Sequence, residues 1–490
     1  MALQLHNTLT KTTEPFVSQQ PNIVKLYTCG PTVYNYLHVG NWAAYIYWDT
    51  LVRTLMANDY TVNRVMNITD VGHLVSDADD GEDKLEKGAK RDGKTAWEVA
   101  KYYGDDFLKG MDRLNLITPT HVTKATEYID QQLSLVRTLA EKGFTYQIDD
   151  GIYFDTAKFP AYADFAGLDL DAQKAGARVT YNDEKRNPSD FALWKFTQAG
   201  EKRDMEWETP SDILDANGDV KTKMGFPGWH LECSAMAMDI LGDTLDIHTG
   251  GIDHIPVHHT NEIAQSESAS GVRFSNFWLH NNFVKSNGTK ISKSLGNGYT
   301  LDDLNEKGYS ELDYRMLVLQ SHYSSEGNFT FENLSAAQNR LQHWRAIAAL
   351  RHQTHDTLSN DDGITDDKVV ILLATKQAIV NALNDNLNTP LALSVIDEAF
   401  GQFDGKAPAD VHERGLNQLL ETIDETLGLK LIDSTPDISD DQKQLLIERQ
   451  RAREAKDWAK SDQIRDIFAE QGITLRDNQH GVVWEYDQGR

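Results

Sequence analysis

The sequence predicts an α/β protein in which a βαβ unit is interrupted by a long insertion and followed by a helical half. Three observations carry that expectation. A β-rich run at residues 22–29 is broken by Gly30-Pro31, and an amphipathic helix and a second strand at residues 60–68 follow, in the order of a βαβ half-unit. A second helix-and-strand group lies far downstream, around residues 225–267. From Ser310 onward helical periodicity dominates.

In chain order, Cys29 closes the first strand and His38-Val39-Gly40-Asn41 opens the helix, whose apolar face is Trp48, Leu51, Val52 and Leu55 at i, i+3, i+4, i+7. The ligand site of such a unit is expected at the carboxyl end of its first strand. An acidic run at residues 76–83 invites a calcium reading, but counted from Asp77 its glycine arrives one position too early for an EF-hand loop, so a solvated loop is expected. Residues 95–142 read as two amphipathic helices, and residues 145–154 as a hairpin turning at Asp150-Gly151. Cys233, an apolar helix to Leu241 and a strand at residues 244–248 resume the α/β pattern. Asn287-Gly288 then marks a hairpin leading into the loop Ile291-Ser-Lys-Ser294. Polar linkers are expected at residues 354–367 and 433–441, and a small hairpin at residues 472–486.

Composition sets limits on function. The 490 residues, 40% hydrophobic and 25% charged, suit about two to four folded domains. Neither a secretory leader nor an apolar run of roughly 18 residues is evident, so a cytoplasmic protein without a membrane partner is expected. Two cysteines make no disulfide framework. The net charge of −27 argues against general nucleic-acid binding and confines any such partner to local basic surfaces, the best candidate being residues 449–465. On composition that run reads first as a solvated helix face.

Residues 225–267 hold Cys233, His258, His259 and Glu262, a vocabulary of thiolate, imidazole and carboxylate that suits a borderline-soft metal. His258 lies at i, i+4 from Glu262 and His259 at i, i+3, and spacing alone does not choose between them. The only other cysteine, Cys29, would have to come from the first strand.

Taken in order, Cys-Gly-Pro-Thr-Val-Tyr, His38-Val-Gly-Asn41, Gly-Trp-His-Leu-Glu-Cys233, His258-His-Thr-Asn-Glu262 and Lys290-Ile-Ser-Lys-Ser294 resemble the cysteinyl-tRNA synthetases, with His38 to Asn41 as the class I HIGH signature and Lys290 to Ser294 as KMSKS. The resemblance continues through Asp385-Asn-Leu-Asn-Thr-Pro390 and the run from Arg451 to Trp484, and so spans essentially the whole chain. It implies a Rossmann-type catalytic domain split into residues 1–122 and 225–309 by a connective insertion at 123–224. A stem-contact and helical tRNA-binding region at 310–432 and a small α+β anticodon-recognition domain at 433–490 would follow.

The implied activity is ATP-dependent formation of cysteinyl-adenylate and transfer of cysteine to the terminal adenosine of tRNA-Cys, by a monomer. In that reading His38, Gly40 and Asn41 bind ATP, and Lys290 and Lys293 reach its triphosphate together with Mg2+. One Zn2+ held by Cys29, Cys233, His258 and Glu262 selects the substrate thiolate over a hydroxyl, because softness separates the two where a small pocket would gain only about 1–3 kcal/mol. Thr69, Trp229 and Asp253 are implied as walls of the cysteine pocket, with His230 and His248 as weaker candidates. Trp458, Trp484, Arg451 and Arg453 are expected on the anticodon side. Two departures stand out: the family's Thr-Asp-x-Asp-Asp-Lys run is broken after Thr69-Asp70, and Pro256-Val-His-His-Thr-Asn-Glu262 replaces Phe-Pro-His-His-Glu-Asn-Glu. A ligase joining cysteine to an amino-sugar shares the zinc and adenylation logic but has no use for an anticodon domain.

Overall fold

A computed structural model describes residues 1–72, 83–169, 184–198, 200–214, 223–292, 295–353, 367–403, 413–478 and 481–486, with only the backbone at 367–371, 478 and 481. The acidic loop, apart from Asp83, and most of the 354–367 linker lie outside the described residues. The chain opens with a hairpin of β1 (Gln4–Asn7) and β2 (Thr12–Pro15), then runs β3 (Ile23–Thr28), α1 (Val39–Ala57), β4 (Thr61–Ile68), α2 (Lys84–Asp92), α3 (Ala96–Arg113), β5 (His121–Lys124) and α4 (Ile129–Glu141). There follow β6 (Thr145–Ile148), β7 (Gly151–Phe154), β8 (Phe191–Phe196), β9 (Trp207–Glu208) and β10 (Met224–Pro227), an antiparallel sheet ordered β6-β7-β8-β10-β9. The hairpin turn falls at Asp149-Asp150, one residue earlier than expected, because Ile148 pairs with Gly151.

The α/β pattern then resumes with α5 (Trp229–Leu241), β11 (Leu245–Gly251), α6 (Thr260–Ser270) and β12 (Ser275–Asn281). Strands β3, β4, β5, β11 and β12 form one parallel sheet ordered β12-β11-β3-β4-β5. The chain builds outward from β3 in one direction and later from β11 in the other. The carboxyl ends of β3 and β11 are therefore the switch point at which a crevice opens in such sheets.

Strands β13 (Val284–Ser286) and β14 (Thr289–Lys290) make the expected hairpin, with Asn287 and Gly288 both at positive φ, and β15 (Gly327–Phe329) pairs with β13. The helical half comprises α7 (Leu301–Glu306), α8 (Glu311–Leu319), α9 (Phe331–Ala349), α10 (Asp367–Asn384), α11 (Thr389–Gly401) and α12 (Glu413–Leu427). It shares a continuous apolar core with the parallel sheet, in which Trp42, Trp48 and Leu51 of α1 meet residues such as Leu319, Leu383 and Leu420. The end of the chain is α13 (Asp440–Glu454), α14 (Trp458–Glu470) and the hairpin of β16 (Ile473–Asn478) and β17 (Gly481–Tyr486).

That end corrects two expectations. The basic run is not simply a solvated face, because Arg449 is buried and Arg449, Arg453 and Arg465 all converge on Asp477 of β16. Trp484 is a core residue, 4% exposed and stacked on His352, because alternation along β17 turns it inward. Trp458 stands in solvent with Arg453 beside its ring, and Arg451 is exposed.

Candidate active site and metal centre

A cleft of about 770 Å³ opens over the carboxyl ends of β3 and β11. Its lining includes Cys29, His38, Gly40, Asn41, Trp229, Asp253 and Lys290, drawn from segments far apart in sequence. The amino end of α1 points into it. His38 is the N-cap residue, its Nδ1 accepting from the Asn41 amide at 3.3 Å while Asn41 Oδ1 accepts from the His38 amide at 3.2 Å. This reciprocal cap fixes both side chains at a helix terminus whose amides and dipole favour an anion. Gly40 is needed for close approach, since a Cβ there would lie 3.0 Å from both the His38 ring and Ile291. Lys290 is exposed at the cleft, Lys285 pairs with Glu326 at 2.8 Å, and Lys293 lies outside the described residues.

Beneath the cleft the four expected donors come together. One atom from each of Cys29, Cys233, His258 and Glu262 falls within a span of 4.8 Å. Both cysteines are free thiols, so the two segments are not joined by a disulfide. Cys29 is carried by the end of β3, Cys233 by α5, and His258 by a single π-helical turn, Ile255–His259, that leads into α6 and Glu262. Such turns re-aim side chains at functional sites. Here His258 Nε2 lies 3.0 Å from Glu262 Oε1 and 3.6 Å from Cys233 Sγ. His259 Nε2 is 4.0 Å from the same carboxylate oxygen, and a second group, Cys29, His248, His259 and Glu262, also falls within the same span. The two groups differ in that the first contains both thiols and the second one thiol and two imidazoles.

Outer contacts orient these donors. Glu262 Oε2 accepts from His248 Nε2 at 2.8 Å, and His258 Nδ1 shares a 2.8 Å hydrogen bond with His230 Nδ1. The two histidines rated weakest from sequence thus sit directly behind the acid and the imidazole. His259 leans the other way, its Nε2 at 3.4 Å from Cys29 Sγ and its Nδ1 at 2.7 Å from His280, which meets Thr8 at 2.7 Å.

Burial and mutual closeness set the electrostatics of the four donors. Burial pushes the Cys29 thiol well above its ordinary range, aided by Cys233. The hydrogen bond with Cys29 draws Cys233 down to about 7 against the cost of burial. Burial works to lower His258, but the Glu262 charge and Cys233 outweigh it and lift the ring to about 10. Burial likewise works to raise Glu262, and the neighbouring His248 and His258 hold it at about 2. Glu262 Oε1 remains buried with no hydrogen bond of acceptable geometry, although His258 is close. Two thiols, an imidazole and a carboxylate converging on one point, with an orphaned oxygen aimed there, fit a tetrahedral zinc site.

Of the expected pocket walls, Trp229 and Asp253 line the cleft, and the Trp229 ring lies 4.9 Å from that of His258. Thr69 lies behind the cleft, fully buried, with its hydroxyl between Asn67 Nδ2 at 3.0 Å and Glu232 Oε2 at 3.1 Å. Sequence reasoning missed Lys84, which lines the cleft with Nζ 4.8 Å from the Trp229 ring, and His254 in its floor. Lys84 opens α2, whose N-cap Asp83 accepts from the Leu85 and Glu86 amides.

Residues 15–339 match the family model of the class I (C) tRNA synthetase catalytic domain. The chain belongs to the cysteinyl-tRNA synthetase family, the cysteine–tRNA ligases of class I. Residues 435–484 match the cysteinyl-tRNA ligase anticodon-binding domain, which speaks against the amino-sugar ligase alternative. The cysteine–tRNA ligase of Treponema denticola is 38% identical over 516 aligned residues, covering 99% of this chain and 100% of the relative. Cysteine–tRNA ligase 1 of Burkholderia lata is 40% identical, covering 98% and 96% respectively. Among solved structures, Mycobacterium tuberculosis methionyl-tRNA synthetase in complex with methionyl-adenylate superposes with a TM-score of 0.57 at 16% identity, over 86% of this chain and 95% of that one. At that identity the likeness is one of fold. No helix among the described residues is long and apolar enough to cross a membrane.

Proposed function

We propose that the chain joins L-cysteine to the 3′-terminal adenosine of tRNA-Cys at the cleft above Cys29, using ATP with Mg2+ and one Zn2+. The observation that carries this reading is the meeting of Cys29, Cys233, His258 and Glu262 directly under a cleft headed by the His38–Asn41 helix terminus. In the first step a cysteine carboxylate oxygen attacks the α-phosphate of ATP and the bond to pyrophosphate breaks. In the second a ribose hydroxyl attacks the acyl carbon, loses its proton and releases AMP. Catalysis of the first step is positioning and charge stabilisation. The α1 terminus, with His38, Gly40 and Asn41, holds phosphate and ribose, while Lys290 and Lys293 bear on the triphosphate. Trp229 walls the amino-acid side and Asp253 faces its ammonium group.

Cys29, Cys233, His258 and Glu262 hold the zinc, and His248 and His230 orient the last two. Bound there, zinc supplies a soft acceptor for the substrate sulfur that a serine hydroxyl matches poorly. In this reading residues 1–122 and 225–309 are the two catalytic halves around the 123–224 insertion. Residues 310–432 contact the tRNA and 433–490 read its anticodon, with Trp458, Arg451 and Arg453 as the candidates left after Trp484 proved internal. One chain supplies all four donors, which is compatible with a monomeric working unit, and the cytoplasm is the proposed setting. The test is charging of tRNA-Cys with cysteine against serine, alongside zinc content. Charging of serine at a comparable rate, or full activity without zinc, overturns the reading.

A further inference from the structure

The cleft has an aromatic and basic shoulder to which the site described above assigns no role. Tyr36, two residues before His38, lines the cleft and is also 40% exposed. Its hydroxyl meets that of Tyr102 of α3 at 2.6 Å, and both rings pack edge-on against Tyr103, with centroids 5.1 and 5.0 Å away. Tyr102 is 46% exposed, and Lys94 Nζ sits 4.4 Å from its ring. The neighbouring helix α2 and the turn after it present Lys87, Lys90, Arg91 and Lys94 to solvent. Of the acids beside this rim, Asp92 is bound by Arg91 and the Tyr103 hydroxyl, and Glu98 closes the α3 cap with Thr95, while Asp106 lies near Tyr36. In a chain of net charge −27, a basic rim with exposed tyrosines beside a cleft calls for a specific anionic partner.

We infer that the Tyr36–Tyr102 shoulder, with Lys94 and the outer face of α2, is the landing for the single-stranded 3′ end of the tRNA on its way into the cleft. This rests on the function proposed above and adds the path by which the RNA enters. Unpaired bases stack on exposed tyrosine faces, and cations beside them take the phosphates. The shoulder is continuous with the cleft through Tyr36 itself. A duplex stem could use the lysines but would leave the tyrosine faces unfilled.

The experiment uses the full chain and measures tRNA-Cys binding, charging and cysteine-dependent ATP–pyrophosphate exchange. Tyr102→Ala is expected to weaken tRNA binding and kcat/KM for tRNA by roughly 5- to 100-fold, the range for loss of one base stack, with exchange unchanged. Tyr102→Phe, which loses the hydroxyl contact but keeps the ring, is expected to behave as wild type. Lys94→Ala should reduce the salt slope of binding by roughly 0.7, one phosphate contact on a single strand. A tRNA shortened by its unpaired 3′ nucleotides should bind wild type and Tyr102→Ala equally. The inference is overturned if Tyr102→Ala binds intact tRNA as wild type does, if its defect persists with the shortened tRNA, or if Tyr102→Phe is equally impaired. Absence of cysteine-dependent exchange in the wild-type chain would instead overturn the proposed function, and the binding comparison would still decide the landing.

Discussion

Two buried polar clusters, one around Asp49 of α1 and one under the cleft, are built on opposite principles. Around Asp49 of α1 every group is answered: its carboxylate takes Arg53 Nε at 2.7 Å, Arg315 and the Ile117 amide at 2.7 Å. The two guanidinium groups go on to the carbonyls of Asn115, Asp424, Glu425 and Leu427, three of them at the carboxyl end of α12. That matches cations to the negative end of a helix and ties the helical half to the sheet. In the cluster under the cleft four donors turn to one point, and Glu262 Oε1 has His258 Nε2 at 3.0 Å but no well-formed hydrogen bond. A closed network holds structure together, whereas one whose donors converge on a shared point is arranged for an ion.

Substitutions should separate the two. Cys233→Ser is expected to remove bound zinc and cut cysteine-dependent exchange by more than roughly 100-fold, beyond the range of outer-layer changes, with the urea midpoint of the metal-free protein little altered. Metal analysis and exchange assays on one preparation check this, and retained zinc and activity would break the distinction. Asp49→Ala should do the reverse, costing about 3–5 kcal/mol of stability by leaving two buried guanidinium groups without their carboxylate, while folded molecules keep their zinc. Equilibrium urea unfolding measures the loss. His248→Ala, one layer behind Glu262, should weaken zinc affinity by roughly 10- to 100-fold in a chelator competition.

Acid should also act on the closed cluster. Burial alone would raise Asp49, but Arg315 and Arg53 hold its carboxyl below the ordinary value. A depressed folded value means that its contribution is fully present above about 3.9 and is lost as pH falls through the folded value. Asp49→Asn should flatten that part of the stability–pH profile below about pH 4, and an unchanged slope would show that other carboxylates carry it. The smallest effect expected is at Gly428, whose φ of +66° and an Arg315 nitrogen 2.6 Å from any added Cβ make Gly428→Ala cost about 1–3 kcal/mol without touching zinc.

Much of this was legible in the chain. Strand, break, capped helix and strand at residues 22–68 follow from local periodicity and turn chemistry, and the same rules located the 287–288 and 472–486 hairpins. Cys233 and Glu262 stood out because such side chains cluster in a short span, and Cys29 because cysteine is rare here. The choice of His258 over His259 came from the family resemblance and not from spacing. Other features depended on partners distant in sequence. Trp484 looked like an exposed base-stacking residue until β16, α9 and α14 enclosed it, and the arginines of α13 looked solvated until Asp477 gathered them. Lys84 reaches the cleft only through the packing of α2 beside Trp229, which no local pattern shows.

The sequence by itself determined the element order, the helix terminus at His38 and the short span that holds Cys233, His258, His259 and Glu262, because those depend on neighbours within a few turns of chain. Only the tertiary structure decided that Cys29 and Cys233 meet, that His248 and His230 stand behind Glu262 and His258, and that one buried cluster pairs a carboxylate with two guanidinium groups while the other gathers thiols, imidazole and carboxylate at one point. Those outcomes are set by the registry of β3 against β11 and by the packing of α5, α6 and α12, contacts between residues hundreds of positions apart that no local pattern encodes.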